Sequence, residues 1–149
     1  YKRQSLLWEV AASLPTPDEW AYLCGGGCRT LFPWGDGLDY SMHLHHFESE
    51  EDQGKPYDME QPNFFGLSIA CDPYQRELVD GKTLTTCGGD GGCNICGGMG
   101  PLLGYLPCSP HCKPEVREDN EIHNDYDFFR PVIRVQISGW RMVSPGDQR

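Results

Sequence analysis

Residues 14–20 read LPTPDEW, and this stretch carries a complete helix-start signal. Thr16 is a candidate N-cap, because its hydroxyl can accept a hydrogen bond from a free amide of the first turn. Pro17 suits the first helical position, and Glu19 stands where a capping box requires an acidic side chain. The stretch therefore predicts a helix that begins at Pro17.

The same helix has a buried face and a marked end. Trp20, Leu23 and Cys24 follow the spacing that places side chains on one side of a helix. Residues 25–27 are three glycines, which tolerate the left-handed conformation of a C-terminal cap. We expect the helix to end there, with Trp20 in the core.

Two further short motifs are built from turn formers and aromatic residues. Residues 32–36 read FPWGD, and we expect Phe32 and Trp34 to anchor the core. Residues 61–67 read QPNFFGL, a second proline- and glycine-bounded turn. Both motifs predict tight corners between short elements.

The three motifs, in this order, resemble those of the sulfatase-modifying-factor family, which includes the formylglycine-generating enzyme. Typical members read LPTEAEWE, YPWGD and PNxFGLYDM. The resemblance implies an α+β fold, an irregular, loop-rich C-type-lectin-like domain with short helices and a small antiparallel sheet. It covers about the C-terminal half to two-thirds of the family domain. We therefore expect residues 1–149 to form a single such domain that lacks the N-terminal part.

The stretch after the third motif departs from the family. Residues 68–78 read SIACDPYQREL where members read YDMxGNVWEW, so the asparagine that helps bind calcium in the family is absent. Residues 87–90 read CGGD, similar to the family's RGGSW without its arginine and tryptophan. The resemblance thus implies the scaffold without its usual functional core.

The remaining elements follow from hydrophobic pattern and turn residues. They are a helix over 5–12, a strand over 41–47, an acidic loop over 48–55, an apolar strand or turn over 64–70, and a polar loop over 113–127.

Two segments near the C-terminal end have opposite compositions. Residues 87–104 include eight glycines, and we expect them to avoid regular structure because ordering glycine costs entropy. Residues 128–137 are rich in β-branched side chains and predict the best strand of the chain. Pro131 indicates that this strand begins there or lies at a sheet edge.

Composition limits the classes of partner. The formal net charge is −10 with a pI near 4.8, which argues against nucleic acid and anionic membranes. Such a surface favours solubility, or the attraction of basic peptides and metal cations. No apolar run approaches the roughly 20 residues that span a bilayer, and no signal-peptide pattern is present.

Eight cysteines form the main candidate for a metal or disulfide site. Cys93 and Cys96 form a CxxC pair, and Cys108 and Cys112 a CxxxC pair, so the four could bind zinc tetrahedrally. His111 is a substitute ligand. Disulfides would hold the same loops equally well, and free buried thiols are the third alternative. Zinc predicts a cytoplasmic protein, and disulfides an extracellular or periplasmic one.

The resemblance also implies a catalytic alternative for two of these thiols. Formylglycine-generating enzymes bind copper through two cysteines that lie shortly before a terminal GFR segment, and they oxidise a peptidyl cysteine. Cys108 and Cys112 lie shortly before residues 128–130, which read FFR. Paired thiolates suit Cu(I).

Two weaker groups of metal-ligand residues remain. His43 and His45 share a face if extended, with Asp39 or Glu48 as a third ligand, although a polar strand edge explains them as well. Loop carboxylates that could bind calcium are Asp36, Asp39, Asp58 and Glu60.

The sequence predicts a non-catalytic binding module that holds a protein or peptide partner on its loops, with the cysteine-rich loop stapled by zinc or disulfides. The first alternative is a divergent copper-dependent oxidase that converts peptidyl cysteine to formylglycine. The second is a zinc-stabilised subunit of a larger enzyme.

Overall fold

A computed structural model describes residues 12–38, 59–119 and 121–135. These residues form short helices and small sheets, an α+β architecture as expected. The elements are β1 (Ala12–Ser13), α1 (Pro17–Gly25), β2 (Arg76–Val79), β3 (Thr85–Gly88), α2 (Cys93–Cys96), α3 (Gly100–Tyr105) with a 3-10 turn (Leu106–Cys108), β4 (Glu115–Val116), β5 (Asp127–Phe129) and β6 (Val132–Ile133). No helix in these ranges is both long enough and apolar enough to cross a membrane.

Helix α1 begins and ends as the sequence predicts. The Glu19 amide donates to Thr16 Oγ1 at 3.2 Å, and the Thr16 amide donates to Glu19 Oε2 at 2.8 Å, which completes the capping box. Gly26 caps the other end with φ of 56°. Trp20 and Cys24 are buried, as the predicted apolar face requires.

Replacing Thr16 by alanine is expected to lower the free energy of unfolding by about 1 kcal/mol, because one amide of the first turn loses its acceptor. Thr83→Ala is the matched control, since Thr83 is an exposed threonine in the bend between β2 and β3 and caps no helix. Urea unfolding followed by far-UV circular dichroism measures both. Equal midpoints for the two variants would contradict a stabilising role for the cap.

The larger sheet has the order β4-β3-β2-β5 and is mixed. Strands β2 and β3 form an antiparallel pair with Arg76 opposite Gly88, and β4 adds to β3 in the same sense. Strand β5 pairs with β2 in parallel, with Arg76 opposite Asp127. The expectation of an antiparallel sheet is therefore wrong at this edge. The chain returns to the edge of β2 through α2 and α3 rather than by a hairpin, which allows the parallel sense.

The glycine-rich segment 87–104 is more regular than expected. It contains the end of β3, all of α2 and most of α3. The prediction failed because several glycines lie at element ends, where their conformational freedom is useful. Gly92 precedes α2 with φ of 79°, and Gly97 follows it.

The predicted strand over 128–137 is interrupted. Strand β5 ends at Phe129, and β6 starts at Val132 and pairs with β1, Ser13 lying opposite Val132. Pro131 lies between them, and it has no N–H to continue a ladder. The prediction that a strand begins at Pro131 is therefore nearly right, because β6 starts at the next residue. The prediction of one continuous strand is wrong.

Several expectations fall outside the described residues. They are most of the helix over 5–12, of which Ala12 lies in β1, the strand over 41–47 and the loop over 48–55. The described residues of the polar segment 113–127 lie outside helices and strands apart from β4 and the first residue of β5, and 64–70 is a turn followed by chain without regular secondary structure.

The core confirms the aromatic anchors. Phe32 is fully buried, and the half-buried Trp34 stacks on it with ring centroids 4.7 Å apart. Tyr105 packs edge-on to Trp34 at 6.0 Å. Other buried apolar side chains are Trp20, Cys24, Met59, Ile69, Ala70, Val79, Cys87 and Cys108.

Two buried carboxylates tie the elements together. Glu77 accepts from Trp20 Nε1 at 2.9 Å and from two nitrogens of Arg130 at 2.9 and 3.1 Å. Asp127 accepts from Arg117 Nη1 and from a backbone amide, each at 2.7 Å. These hydrogen bonds and ion pairs therefore join α1, β2 and β5 in addition to the apolar core.

Candidate functional site

The eight cysteines are all unpaired thiols in the structure. Cys93 and Cys96 begin and end α2 and are exposed, and Cys112 is exposed in the turn that follows the 3-10 helix. Cys108 is fully buried. The predicted pairs therefore differ in solvent exposure: both thiols of the first pair are exposed, whereas the second pair combines the buried Cys108 with the exposed Cys112.

Three residues of the predicted zinc set have contacts outside that set. Cys96 Sγ lies 3.2 Å from the hydroxyl of Tyr74. The backbone oxygen of Cys108 accepts from the thiol of Cys24 at 3.8 Å. Cys112 lines a small cavity of about 110 Å³ together with Cys87 and Trp20. The structure thus places Cys112 beside Cys87.

Burial sets the protonation of the inner thiols. Loss of hydration raises the pKa of Cys87 to about 12 and that of Cys71 to about 11. The pKa of Cys108 lies well above its ordinary value for the same reason, and that of Cys112 is also raised by burial. Burial therefore disfavours the thiolate form of these four side chains, which lowers their nucleophilicity.

The metal predictions find no formed site. Across the described ranges, no three His, Cys, Asp or Glu side chains lie close enough to hold one ion. Cys93, Cys96, Cys108 and Cys112 in this arrangement do not form a tetrahedral centre, and zinc binding by them stays a prediction. The substitute ligand His111 contacts the carbonyl of Thr30 through Nε2 at 3.2 Å.

The other candidate ligands are only partly described. Asp36 Oδ1 accepts from the Leu31 amide at 2.7 Å and so stabilises its own turn. Glu60 is exposed. The remaining members of the two groups, His43, His45, Asp39, Glu48 and Asp58, lie outside the described residues.

Three aromatic side chains form an exposed group that we call the aromatic surface: Tyr22, Phe64 and Phe65. Their exposed fractions are 65%, 83% and 39%. The ring centroids of Tyr22 and Phe65 are 5.2 Å apart, and those of Phe64 and Phe65 are 6.0 Å apart. Large rings in mutual contact yet open to solvent are typical of binding surfaces.

Asn63 holds this surface in place. Its Oδ1 accepts from the amides of Phe65 and Leu67 at 3.0 and 3.2 Å, which closes a tight turn. Its Nδ2 donates to the carbonyls of Leu23 and Cys24 at 2.6 and 3.2 Å, which fastens that turn to the end of α1. The same side chain therefore shapes the turn and docks it.

Gly26 makes this docking possible. A Cβ at that position would lie 2.9 Å from the Asn63 side chain, and the backbone there is left-handed. Only glycine meets both conditions without strain. The sequence analysis identified the helix end and the turn but not their contact.

The electrostatic surroundings of the aromatic surface are acidic. Asp18 is exposed and lies four residues before Tyr22, hence on the same face of α1. The last turn of α1 contains no basic residue. The carbonyls of that turn already accept from Asn63 Nδ2 and from the amides of Gly26 and Cys28, so the acidic character beside the surface comes from Asp18.

A larger cavity of about 500 Å³ lies between the turn at 72–75, α2 and the segment 125–128. It is lined by Asp72, Tyr74, Gln75, Cys96, Asp125, Tyr126 and Phe128. The sequence analysis named Cys96 as a candidate ligand but did not predict that these residues form one cavity, because they are distant in sequence.

Comparison of the chain with protein-family models, with curated proteins and with solved structures finds no match. The resemblance to the sulfatase-modifying-factor family therefore stays an interpretation of three sequence motifs. Arguments about function depend on the geometry above.

Proposed function

We propose that this chain is a non-catalytic interaction module, built on a C-type-lectin-like scaffold of the formylglycine-generating-enzyme type, which binds a basic peptide segment of a partner protein. The aromatic surface is the binding site. The observation that carries the proposal is that Asn63 fixes exposed aromatic rings in a hydrogen-bonded turn.

Preorganisation is the first argument for binding. A turn that is already closed by side-chain and backbone hydrogen bonds loses little conformational entropy when a partner docks. The Asn63 amide also donates to the Leu67 carbonyl at 2.9 Å, and the Gly66 amide to the Asn63 carbonyl at 2.8 Å. Rigid aromatic anchors of this kind supply most of the energy in many interfaces.

Charge is the argument for a basic partner. The chain carries a net charge of −10, so basic peptides are attracted and acidic ones repelled. Arginine and lysine side chains also interact favourably with the faces of Tyr and Phe rings. Asp18 supplies a carboxylate beside Tyr22 for the same ligand.

The catalytic alternative receives less support from the geometry. A copper-dependent oxidase acting through Cys108 and Cys112 needs thiolates that a substrate can approach. Cys108 is fully buried, and the pKa of both thiols is raised. The zinc-stabilised subunit stays a prediction that none of the described contacts addresses.

Fluorescence anisotropy with labelled peptides tests the proposal. Two fluorescein-labelled dodecapeptides are compared, one alternating Arg and Leu and the other alternating Glu and Leu. We expect the basic peptide to bind and its affinity to fall as salt is raised. Phe64→Ala should weaken that binding about tenfold, since a central aromatic contact is worth roughly 1–2 kcal/mol.

Phe129→Ala is the matched control, because Phe129 is also a largely exposed phenylalanine, 70% accessible against 83% for Phe64, and lies on β5 outside the aromatic surface. It should leave peptide affinity unchanged. Equal binding of both peptides, or equal loss in both variants, would show that binding is non-specific and would overturn the proposal.

A further inference from the structure

The cavity of about 500 Å³ has the size of a small-molecule site and takes no part in the aromatic surface. Three aromatic rings line it, those of Tyr74, Tyr126 and Phe128. Two carboxylates, Asp72 and Asp125, complete the chemically distinctive part of the wall. Among the described residues, neither lysine nor arginine lines it.

The combination of three aromatic rings and two carboxylates favours a cationic ligand. Aromatic rings present a negative face to a bound group, and the best-known ligands of such faces are alkylated ammonium ions. Asp72 is almost fully buried, whereas Asp125 is exposed, so one carboxylate lies in the wall and the other at the solvent side. Burial and the contact with Cys96 raise the pKa of the Tyr74 phenol, which therefore stays neutral.

The backbone positions the rings independently of their side chains. The Tyr74 amide donates to Asp72 Oδ1 at 2.9 Å. The Tyr126 amide donates to the His123 carbonyl at 3.0 Å, and the Tyr126 carbonyl accepts from the Arg76 amide at 2.7 Å. The cavity is thus formed before a ligand enters, and a ring can be removed without loss of these bonds.

We propose that this cavity binds an organic cation with an alkylated ammonium group, which lies among the rings of Tyr74, Tyr126 and Phe128 and near the carboxylates of Asp72 and Asp125. A bulky, weakly hydrated ammonium suits a wide site lined by rings better than a metal ion does. Carboxylates such as those of Asp72 and Asp125 can bind hard metal ions. Among the described residues, however, no third ligand lies close enough to complete a metal site with them. The inference is independent of the peptide-binding proposal.

Isothermal titration calorimetry on the full chain tests the inference with choline and its uncharged isostere, 3,3-dimethyl-1-butanol. Both probes have the same shape, so a difference in affinity reports the charge alone. We expect choline to bind at least about tenfold more tightly, since a desolvated cation–π contact and a nearby carboxylate both favour the charged probe. Equal affinity, or no binding of choline, would overturn the inference.

Tyr126→Leu and Asp125→Asn remove one ring and one charge from the cavity, and each should weaken choline binding about fivefold or more. Both residues are exposed, so the variants should keep the fold. Tyr22→Leu is the matched control, because it removes an exposed tyrosine from the aromatic surface only. Choline affinity that falls equally in Tyr22→Leu and Tyr126→Leu would overturn the cavity as the site.

The two proposals fail separately. Tyr126→Leu should leave binding of the basic peptide unchanged, and Phe64→Ala should leave binding of choline unchanged. Binding of the peptide without binding of choline would overturn only the cavity inference. Binding of choline without binding of the peptide would overturn only the peptide proposal.

Discussion

Replacing Asp127 by asparagine is expected to lower the free energy of unfolding by about 3–5 kcal/mol, one of the largest effects of any single change in this chain. The Asp127 side chain has no exposed surface and lies between two arginines. Arg117 Nη1 donates to its Oδ2 at 2.7 Å, and Arg76 Nε lies 2.9 Å from its Oδ1. Asparagine removes a charge that both guanidinium groups share at close range.

The contact with Arg76 is an ion pair without hydrogen-bond alignment. Neither Arg76 Nε nor Asp127 Oδ1 has a hydrogen-bond partner of acceptable geometry among the described residues, although the two atoms are close. The attraction there is therefore one of charge, which the neutral amide of asparagine cannot replace. The amide nitrogen of asparagine is itself a donor, and it would face either the Arg76 or the Arg117 guanidinium, which are also donors.

Urea unfolding at pH 7 measures this effect, and Asp119→Asn is its matched control. Asp119 accepts from Arg117 Nη2 at 2.5 Å, yet its side chain is 48% exposed. Exposed ion pairs contribute about 0–1 kcal/mol, so the control should unfold close to the parent chain. Equal losses in both variants would contradict the argument from burial.

Local features of the fold were predictable from sequence. Thr16, Pro17 and Glu19 specify the start of α1 within four residues of one another, and Gly26 specifies its end. The capping atoms are neighbours in the chain, so their contact needs no knowledge of the rest of the molecule. The turn that begins at Asn63 was marked in the same way by its own glycine.

The sheet and the sites depend on contacts between distant residues. The pairing of β5 with β2 places Asp127 opposite Arg76, and nothing in either segment alone specifies a parallel neighbour. The larger cavity combines Tyr74 with Tyr126 in the same manner. The hydrophobic pattern of a segment indicates the secondary structure of that segment. It does not indicate which other segment lies beside it.

Cysteine spacing shows the same limit. A CxxC and a CxxxC pair satisfy the sequence rule for zinc, but the rule says nothing about burial. Here the short helix α2 exposes Cys93 and Cys96, whereas the 3-10 turn buries Cys108 against the core. The glycines that were expected to prevent regular structure in this region instead flank its helix α2.

Replacing Glu77 by glutamine is expected to lower the free energy of unfolding by about 2–4 kcal/mol. Glu77 lies on β2 and is buried, and its carboxylate accepts from two side chains, Trp20 through Nε1 and Arg130 through its guanidinium. A glutamine oxygen can accept from one of these, but its amide nitrogen then faces the other donor. The guanidinium also loses its counter-charge, although its Nη2 keeps a bond to the Ser68 carbonyl at 3.1 Å.

Glu115→Gln is the control for this variant, since Glu115 is an exposed glutamate on β4 of the same sheet and should tolerate the change within about 0.5 kcal/mol. Trp20 fluorescence adds a second readout, because loss of the indole hydrogen bond alters the emission of a buried tryptophan. Glu77 joins α1, the central strand and the end of β5, so its loss should reduce cooperativity as well as the urea midpoint. An unchanged midpoint in Glu77→Gln would mean that packing of Trp20 alone holds these elements together.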